Sequence, residues 1–249
     1  YYGRYGRIHG WFSDLLEPAA VDAFVELTHE RCRERFSGEF GRTVPGLFTD
    51  EPNWSFLPWT NGFPAFFLES RGYDIVPRLP FLFFRGGGFE KTRYDFYAAM
   101  TERFVATYTG RVGRWCDENG LIFTGHMLHE DNLYVQTAHV GAVMPHYEFM
   151  SMPGIDHLTR DIADPLLVKQ VASVAHQMGD RRVLSETYGG AAWNVTFDEL
   201  KRLADWQFVL GVNFTCQHLA HYSLRGVRKT DFPPSLHYHQ PWWRVYGHF

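Results

Sequence analysis

The sequence predicts an α/β protein with an incomplete (β/α)8 TIM-barrel-like fold, about the last five βα units of such a barrel, with parallel strands. Short apolar runs alternate with helix-like segments, which favours a parallel sheet with right-handed crossovers. Three of these runs end in acidic residues, at Asp50-Glu51, Glu130-Asp131 and Glu186. Polar groups at the carboxyl ends of successive strands are typical of a parallel barrel. A glycine-rich dinucleotide motif, which would favour an open doubly wound sheet, is absent.

Composition excludes several classes of function. The 249 residues are 45% hydrophobic and 21% charged, and a formal net charge of −4 argues against nucleic-acid binding, which needs a basic face. No apolar run is long enough to cross a membrane, so no membrane partner is expected. The three cysteines, Cys32, Cys116 and Cys216, have neither metal-site nor disulfide spacing. Aromatic residues make up 17% of the chain and could pack a core or stack on sugar rings.

We expect residues 1–249 to form a single catalytic-barrel domain that is a fragment of a longer multidomain protein, because the sequence starts without Met. The missing parts of that chain are then partners of this one. The compartment stays open; it would be periplasmic or secreted in a bacterium if the full chain carries a signal peptide.

The first half of the chain predicts a loop, two helices, one strand and an insertion. Residues 1–13 predict an incoming loop, and apolar residues at helical spacing predict a helix over 21–36. A buried strand is predicted over 44–49. Residues 52–90, rich in aromatic residues, Pro and Gly, predict an elaborated βα insertion with one short helix near 65–72 and a flexible hinge at Gly86-Gly87-Gly88. The clearest helix, 92–119, ends at Asn119-Gly120.

The second half alternates strands and helices. Its predicted elements are a strand over 121–124, a short strand over 149–152, a helix over 165–178, a strand over 182–185, a helix over 196–210 and a strand over 212–216. Thr196 and Glu199 have the spacing of a capping box, which marks the start of the last helix. Pro153-Gly154 predicts a turn after the short strand, ahead of Asp156.

Glu51, Glu186 and Glu130 are the predicted catalytic residues. Glycoside hydrolysis needs one carboxylic acid that protonates the leaving oxygen and a second carboxylate that acts as base or nucleophile. Glu51 precedes Pro52, which fixes the turn after its strand. Glu186 lies three strands further along, so the two carboxylates would face each other across a barrel mouth. Their separation would distinguish a retaining pair, at about 5–5.5 Å, from an inverting pair, at roughly 6.5–9.5 Å.

A dense polar segment, residues 126–132, could bind sugar hydroxyls or a cation. Hard oxygen ligands from Glu130, Asp131 or Asn132, or from Asp156, would suit calcium. The spacing is not that of a zinc-protease motif, and the sequence requires no cofactor. The residues predicted to contact sugar or cation are Asp50, His126, His129, Asp131, Asn132, Asp156, His157, Tyr188, Trp193 and His218.

Several motifs together resemble bacterial glycoside hydrolases of the α-L-rhamnosidase type, family 106. They are Phe48-Thr-Asp-Glu-Pro52, His129-Glu-Asp-Asn132, and Ser185-Glu-Thr-Tyr-Gly-Gly190 followed by Trp193 and Gly211-Val-Asn-Phe214. The resemblance covers nearly the whole chain. It implies a (β/α)8-type catalytic domain, a carbohydrate substrate and a calcium ion near the sugar. It also implies a much longer protein, whose first barrel strands and β-sandwich domains lie outside this chain.

The working hypothesis is a glycoside hydrolase that acts on an oligosaccharide or other glycoside. Two alternatives stay open. One is a non-catalytic carbohydrate-binding barrel that keeps the pocket without turnover. The other is a metal-dependent hydrolase of another class that uses His126, His129 and Asp156, which a bound transition metal would support.

Overall fold

A computed structural model describes residues 2–3, 6–7, 13–54, 58–162, 164–179 and 181–249. Within them, a five-stranded parallel sheet curls into half of a barrel flanked by helices, which confirms the predicted incomplete α/β barrel. A short antiparallel pair, β1 (Tyr2–Gly3) and β2 (Gly6–Arg7), lies in the stretch predicted as a loop, whose other positions up to residue 12 are outside the described residues. The sheet strands follow in spatial order: β3 (Gly46–Asp50), β4 (Ile122–His126), β5 (Met152–His157), β6 (Leu184–Thr187) and β7 (Phe214–Gln217).

Helices connect the strands and cover the outside of the sheet. They are α1 (Pro18–Val25), α2 (Arg31–Phe36), α3 (Phe63–Arg71), α4 (Phe89–Phe104), α5 (Gly110–Glu118), α6 (Leu133–His139), α7 (Met144–Tyr147), α8 (Leu166–Gln177), α9 (Phe197–Leu210) and α10 (Trp243–Tyr246). The two long helices predicted in the first half each contain a π-helical segment, Glu26–Glu30 and Val105–Thr109. Short 3₁₀ helices occupy Ser37–Glu39, Val76–Leu82 and Gly226–Thr230. Searched over the described residues, no helix is long and apolar enough to cross a membrane.

The start of α9 shows how local sequence sets a boundary. The Thr196 side chain accepts a hydrogen bond from the Glu199 backbone N–H, and the Glu199 carboxylate accepts one from the Thr196 backbone N–H. This reciprocal pair satisfies two backbone donors that the helix itself leaves unpaired. The predicted capping box is therefore confirmed, and it fixes where the chain enters α9 after the β6 loop.

The insertion belongs to the main core. Phe63 and Phe67 on α3 and Ile75 beyond it are buried in the same hydrophobic cluster as Phe96 and Met100 on α4. The predicted short helix is present as α3, and a 3₁₀ helix that the sequence did not predict follows it. Packing against α4 therefore holds this segment, although its proline content argued against regular structure.

The predicted boundary of β5 needs correction. The Pro153-Gly154 pair was expected to form a turn, but both residues lie inside the strand. A Cβ atom on Gly154 would lie 2.7 Å from the Gly125 carbonyl oxygen of β4, so glycine is needed for a close approach of strands. As a result, Asp156 and His157 are strand residues, and Asp156 pairs in register with Glu186 of β6.

Candidate active site

Polar side chains converge at the carboxyl ends of the sheet strands. The structure brings together six of the predicted site residues, which we name the strand-end cluster: Asp50, Glu51, His126, Asp156, Glu186 and His218. The strand register produces this convergence, because Asp50 pairs with His126 across β3 and β4, and Asp156 pairs with Glu186 across β5 and β6. His218 directly follows β7.

His126 lies at the centre of the strand-end cluster. Its side chain is only 1% exposed, and its Nε2 lies 2.6 Å from Oε2 of Glu186 and 3.8 Å from Oδ1 of Asp50. Two sets of polar side-chain atoms each fall within 4.8 Å of one another, one from Asp50, His126 and Glu186, the other from Glu51, His126 and Asp156. Four carboxylates therefore surround one buried imidazole.

This environment keeps His126 charged. Burial by itself lowers the pKa of His126, but the hydrogen bond to Glu186 and the charges of Glu130, Asp156 and Glu186 outweigh it and raise the pKa to about 9. The imidazolium then donates Nε2–H to Glu186, which is a charge-assisted hydrogen bond. A protonated His126 offsets part of the repulsion among the surrounding carboxylates.

The pKa values of the two leading catalytic candidates, Glu51 and Glu186, shift in opposite directions. Burial raises the pKa of Glu51, and the neighbouring Asp50 and Glu186 charges add to this against the opposing effect of His126. The hydrogen bond from His126 lowers the pKa of Glu186, against a smaller effect of burial. Carboxyl groups whose environments separate their pKa values in this way suit one acid role and one base or nucleophile role.

Backbone strain is concentrated at the same end of the sheet. Glu51 has a φ of 47° directly after β3, and Tyr188 has a φ of 76° directly after β6. His129 and Thr159, which follow β4 and β5, are also left-handed, with φ values of 62° and 70°. Left-handed backbone at residues other than glycine costs about 1–3 kcal/mol and is concentrated at functional sites. The turn at Glu51 is what directs its carboxylate toward His126 and Asp156.

Glu130 does not reach this mouth. The residue is 2% exposed, and its carboxylate accepts hydrogen bonds from the backbone N–H of Met127 at 2.7 Å, the hydroxyl of Tyr147 at 2.7 Å and the backbone N–H of Asp156 at 3.1 Å. Burial raises the pKa of Glu130 to about 7. Its oxygens are occupied by internal donors, so Glu130 orders the turn after β4 and the end of β5. These internal contacts argue against the predicted acid/base role of Glu130, because proton transfer needs an oxygen that faces substrate.

Other predicted contacts also have internal roles. Asn132 caps α6, where its side chain accepts from the N–H groups of Tyr134 and Val135, each at 3.1 Å. The Nδ1 atom of His157, a buried residue, lies 2.9 Å from Nε2 of Gln207. For Asn132 and His157 the structure therefore shows a hydrogen-bonding role within the fold.

The remaining predicted residues lie near the rim or beneath it. Asp131 and His129 are exposed on the turn after β4, and the His129 ring centroid lies 4.8 Å from that of His139. Tyr188 is buried, and its ring packs in a second hydrophobic cluster. The Trp193 ring is partly exposed, and its Nε1–H donates to the Lys229 carbonyl oxygen at 2.9 Å.

Of the four residues predicted as possible calcium ligands, only Asp156 both belongs to a converging set and has an oxygen without a hydrogen-bond partner among the described residues. The side-chain oxygens of Glu130 and Asn132 accept hydrogen bonds from donors within the fold. Asp131 belongs to neither of the two sets of side chains that converge on His126. Asp156 is in such a set, and its Oδ1 is buried without a hydrogen-bond partner among the described residues. A free carboxylate oxygen is the type of ligand that calcium prefers, but His126, the third member of that set, is protonated and would not coordinate the ion. His129, required by the alternative metal-dependent hydrolase, is in neither set.

Sequence reasoning missed the residues that support the site from a distance. Tyr147 on α7 donates to Glu130, and the Phe232 ring packs 5.6 Å from the His218 ring. Neither residue lies near a strand end in the sequence, so no local spacing could have identified it. In the sequence, Gly189 stood out only as part of the Ser185–Gly190 motif, whereas in the structure it lies against His218, so that a Cβ there would be 2.7 Å from Nδ1 of His218.

Comparisons with known proteins show the family and the fold that this chain resembles. A protein from Formosa agariphila, provisionally named a beta-glucuronidase, is 24% identical over 245 residues, which is 94% of this chain and 18% of that protein. The structure of a rhamnosidase from Novosphingobium sp. PP1Y superposes with a TM-score of 0.67 at 24% identity, covering 84% of this chain and 21% of that one. This chain thus spans about a fifth of each relative. The sequence model of a family described as alpha-L-rhamnosidase matches residues 8–241, and the chain therefore belongs to glycoside hydrolase family 106.

Proposed function

We propose that the longer enzyme containing this chain hydrolyses an α-L-rhamnoside, with the strand-end cluster as its catalytic centre. The observation that carries this proposal is the convergence of Glu51, Asp156, Asp50 and Glu186 around the buried His126. Glycosidases cleave their substrates with a pair of carboxyl groups in one cleft, one protonated and one ionised. The rhamnoside follows from the family that the chain belongs to.

Glu51 is the proton donor in this proposal. Its half-buried carboxyl group has a raised pKa, so it retains a proton more readily than an exposed glutamate. The proton passes to the glycosidic oxygen as the bond from that oxygen to the anomeric carbon breaks. The backbone turn at Glu51, held by the Asn53 side chain that donates to the Glu51 carbonyl oxygen at 3.0 Å, directs the acid into the mouth.

Glu186 is the ionised partner. His126 holds it as a carboxylate through the 2.6 Å hydrogen bond, and Oε1 of Glu186 remains directed toward the mouth and His218. In an inverting reaction Glu186 takes a proton from the attacking water. In a retaining reaction Glu186 itself attacks the anomeric carbon, and water releases the sugar in a second step. The anomer of the first product distinguishes these two courses.

Asp50, Asp156 and His218 are the proposed contacts to sugar hydroxyls. The side chain of Asp50 is 79% exposed, so it can reach a ligand above the sheet, while Asp156 is half-buried in the same cluster. Asp156 would also hold a calcium ion, which would supply a positive charge that orients sugar hydroxyls. Carboxylates are common partners of such hydroxyls because each oxygen accepts more than one hydrogen bond.

The test uses the full-length enzyme and an aryl α-L-rhamnoside. Turnover by the wild type supports the proposal if Glu186→Gln causes a large loss on this substrate and Glu51→Gln causes a large loss on an alkyl α-L-rhamnoside, whose poor leaving group needs the proton. Proton NMR of the first product identifies the anomer. Hydrolysis of an aryl β-D-glucuronide instead would overturn the choice of sugar. Binding of rhamnose oligosaccharides without any turnover would favour the non-catalytic carbohydrate-binding barrel.

A further inference from the structure

We propose that Gly189 is a positioning residue for catalysis, because the absence of a side chain there allows His218 to stand beside Glu186. This inference rests on the proposed role of Glu186. It goes beyond that role by assigning a function to a residue that touches neither substrate nor the reacting carboxylate.

The contact between Gly189 and His218 leaves no room for a methyl group. A Cβ atom on Gly189 would lie 2.7 Å from Nδ1, 2.8 Å from Cγ and 3.0 Å from Cβ of His218. These atoms are at the base of the side chain, so rotating the ring cannot relieve all three contacts. Carbon atoms of packed side chains normally approach no closer than about 3.5 Å. The φ of Gly189 is not in the left-handed region, so close approach rather than backbone conformation explains this glycine.

Three further contacts hold the two residues in place. The His218 backbone N–H donates to the Thr187 carbonyl oxygen at 2.8 Å, which continues the pairing of β6 with β7. The Thr159 backbone N–H donates to the Gly189 carbonyl oxygen at 2.5 Å, which fixes the loop on its other side. The Phe232 ring lies 5.6 Å from the His218 ring at an angle of 63°. The imidazole is therefore confined between the Gly189 backbone and Phe232.

This confinement directs the imidazole at Glu186. Nε2 of His218 lies 3.8 Å from Oε1 of Glu186, while His126 binds Oε2. Each oxygen of the proposed catalytic carboxylate thus faces a histidine from a neighbouring part of the mouth. A displaced His218 would leave Oε1 without its neighbour and allow the carboxylate to rotate about the bond to His126.

The expected effect of Gly189→Ala is a fall in kcat/KM of about 10- to 100-fold, since small misplacements of catalytic and substrate-binding groups have effects of this size. In the full-length enzyme, Gly189→Ala, His218→Ala and the double variant are compared on an aryl α-L-rhamnoside. If Gly189 acts through His218, Gly189→Ala causes no further loss in the His218→Ala background. Gly87→Ala is the matched control, because a Cβ there would meet nothing within 4 Å.

Full activity of Gly189→Ala would overturn the inference, as would losses that multiply in the double variant, because a merely structural role predicts independent effects. If Gly189→Ala alone fails to fold, the double variant is expected to fold, because it removes the two closest contacts and leaves only the 3.0 Å approach of the two Cβ atoms, which a shift of a few tenths of an ångström relieves. Failure of both variants to fold also overturns the inference. Glu186→Gln is measured in parallel. Retained activity in Glu186→Gln refutes the proposed function. The coupling between Gly189 and His218 is measured independently, from the activities of the two single variants and the double variant.

Discussion

Replacing Glu186 with glutamine in the full-length enzyme tests the proposed chemistry most directly. Glutamine keeps the size and shape of the side chain but cannot carry the negative charge. In the structure, Oε2 of Glu186 accepts a 2.6 Å hydrogen bond from His126 and Oε1 lies 3.8 Å from His218. The amide retains one acceptor oxygen for His126, so the fold survives, while the ability to accept a proton or attack carbon is lost.

The expected loss follows from the role. A positioned base contributes about 10²- to 10⁴-fold to a rate, which corresponds to roughly 2.7–5.4 kcal/mol of barrier at about 1.36 kcal/mol per tenfold change. Glu186 accepts the proton or attacks carbon only in the transition state, so kcat and kcat/KM should fall by similar factors while KM changes little. A nucleophile role predicts a loss at the upper end of this range or beyond it.

The assay measures initial rates of aryl α-L-rhamnoside hydrolysis by purified full-length protein. Glu69→Gln is the matched control, because Glu69 is exposed on α3 in the insertion. Circular dichroism checks that each variant is folded. Activity of Glu186→Gln within a few-fold of the wild type would refute the reasoning and remove Glu186 from the mechanism.

Three further predictions follow from the same structure. Glu51→Gln should slow substrates with poor leaving groups far more than activated aryl glycosides, since only the former need the proton; an equal loss for both would argue against the acid role. Chelation by EDTA should lower activity, and calcium but not magnesium should restore it; Asp156→Asn should weaken that response, whereas an enzyme indifferent to EDTA would exclude the ion. Burial lowers the pKa of His146 from 6.5 to about 4, so the unfolded state binds the proton more readily. The contribution of neutral His146 to the free energy of unfolding is therefore fully present above pH 6.5, and it falls by up to about 3 kcal/mol as the pH drops toward 4. Denaturant unfolding at a series of pH values measures this free energy, and His146→Gln should weaken its dependence on pH between 6.5 and 4. The same pH dependence in wild type and variant would contradict the prediction.

Local sequence sufficed for much of the fold. The capping box of Thr196 and Glu199, the helical spacing of 92–119 and the Asn119-Gly120 stop depend on neighbours a few residues away, and the structure has all three. The alternation of strands and helices likewise predicted the parallel half-barrel. The predicted turn at Pro153-Gly154 was wrong, because both residues lie inside β5. The glycine is there because β4 approaches too closely for a side chain, which is a packing constraint that local sequence does not show.

The sequence by itself determined that acidic residues end several parallel strands, because each strand and its terminal carboxylate are adjacent in the chain. It placed Glu130 only closely behind Glu51 and Glu186 as an acid/base candidate. Glu130 and Glu186 look alike as sequence, yet one binds three internal donors and the other faces two histidines. Only the tertiary structure decided this, because strand register sets which side chains meet, and burial and neighbouring charges set their pKa values. Both are properties of residues far apart in the chain.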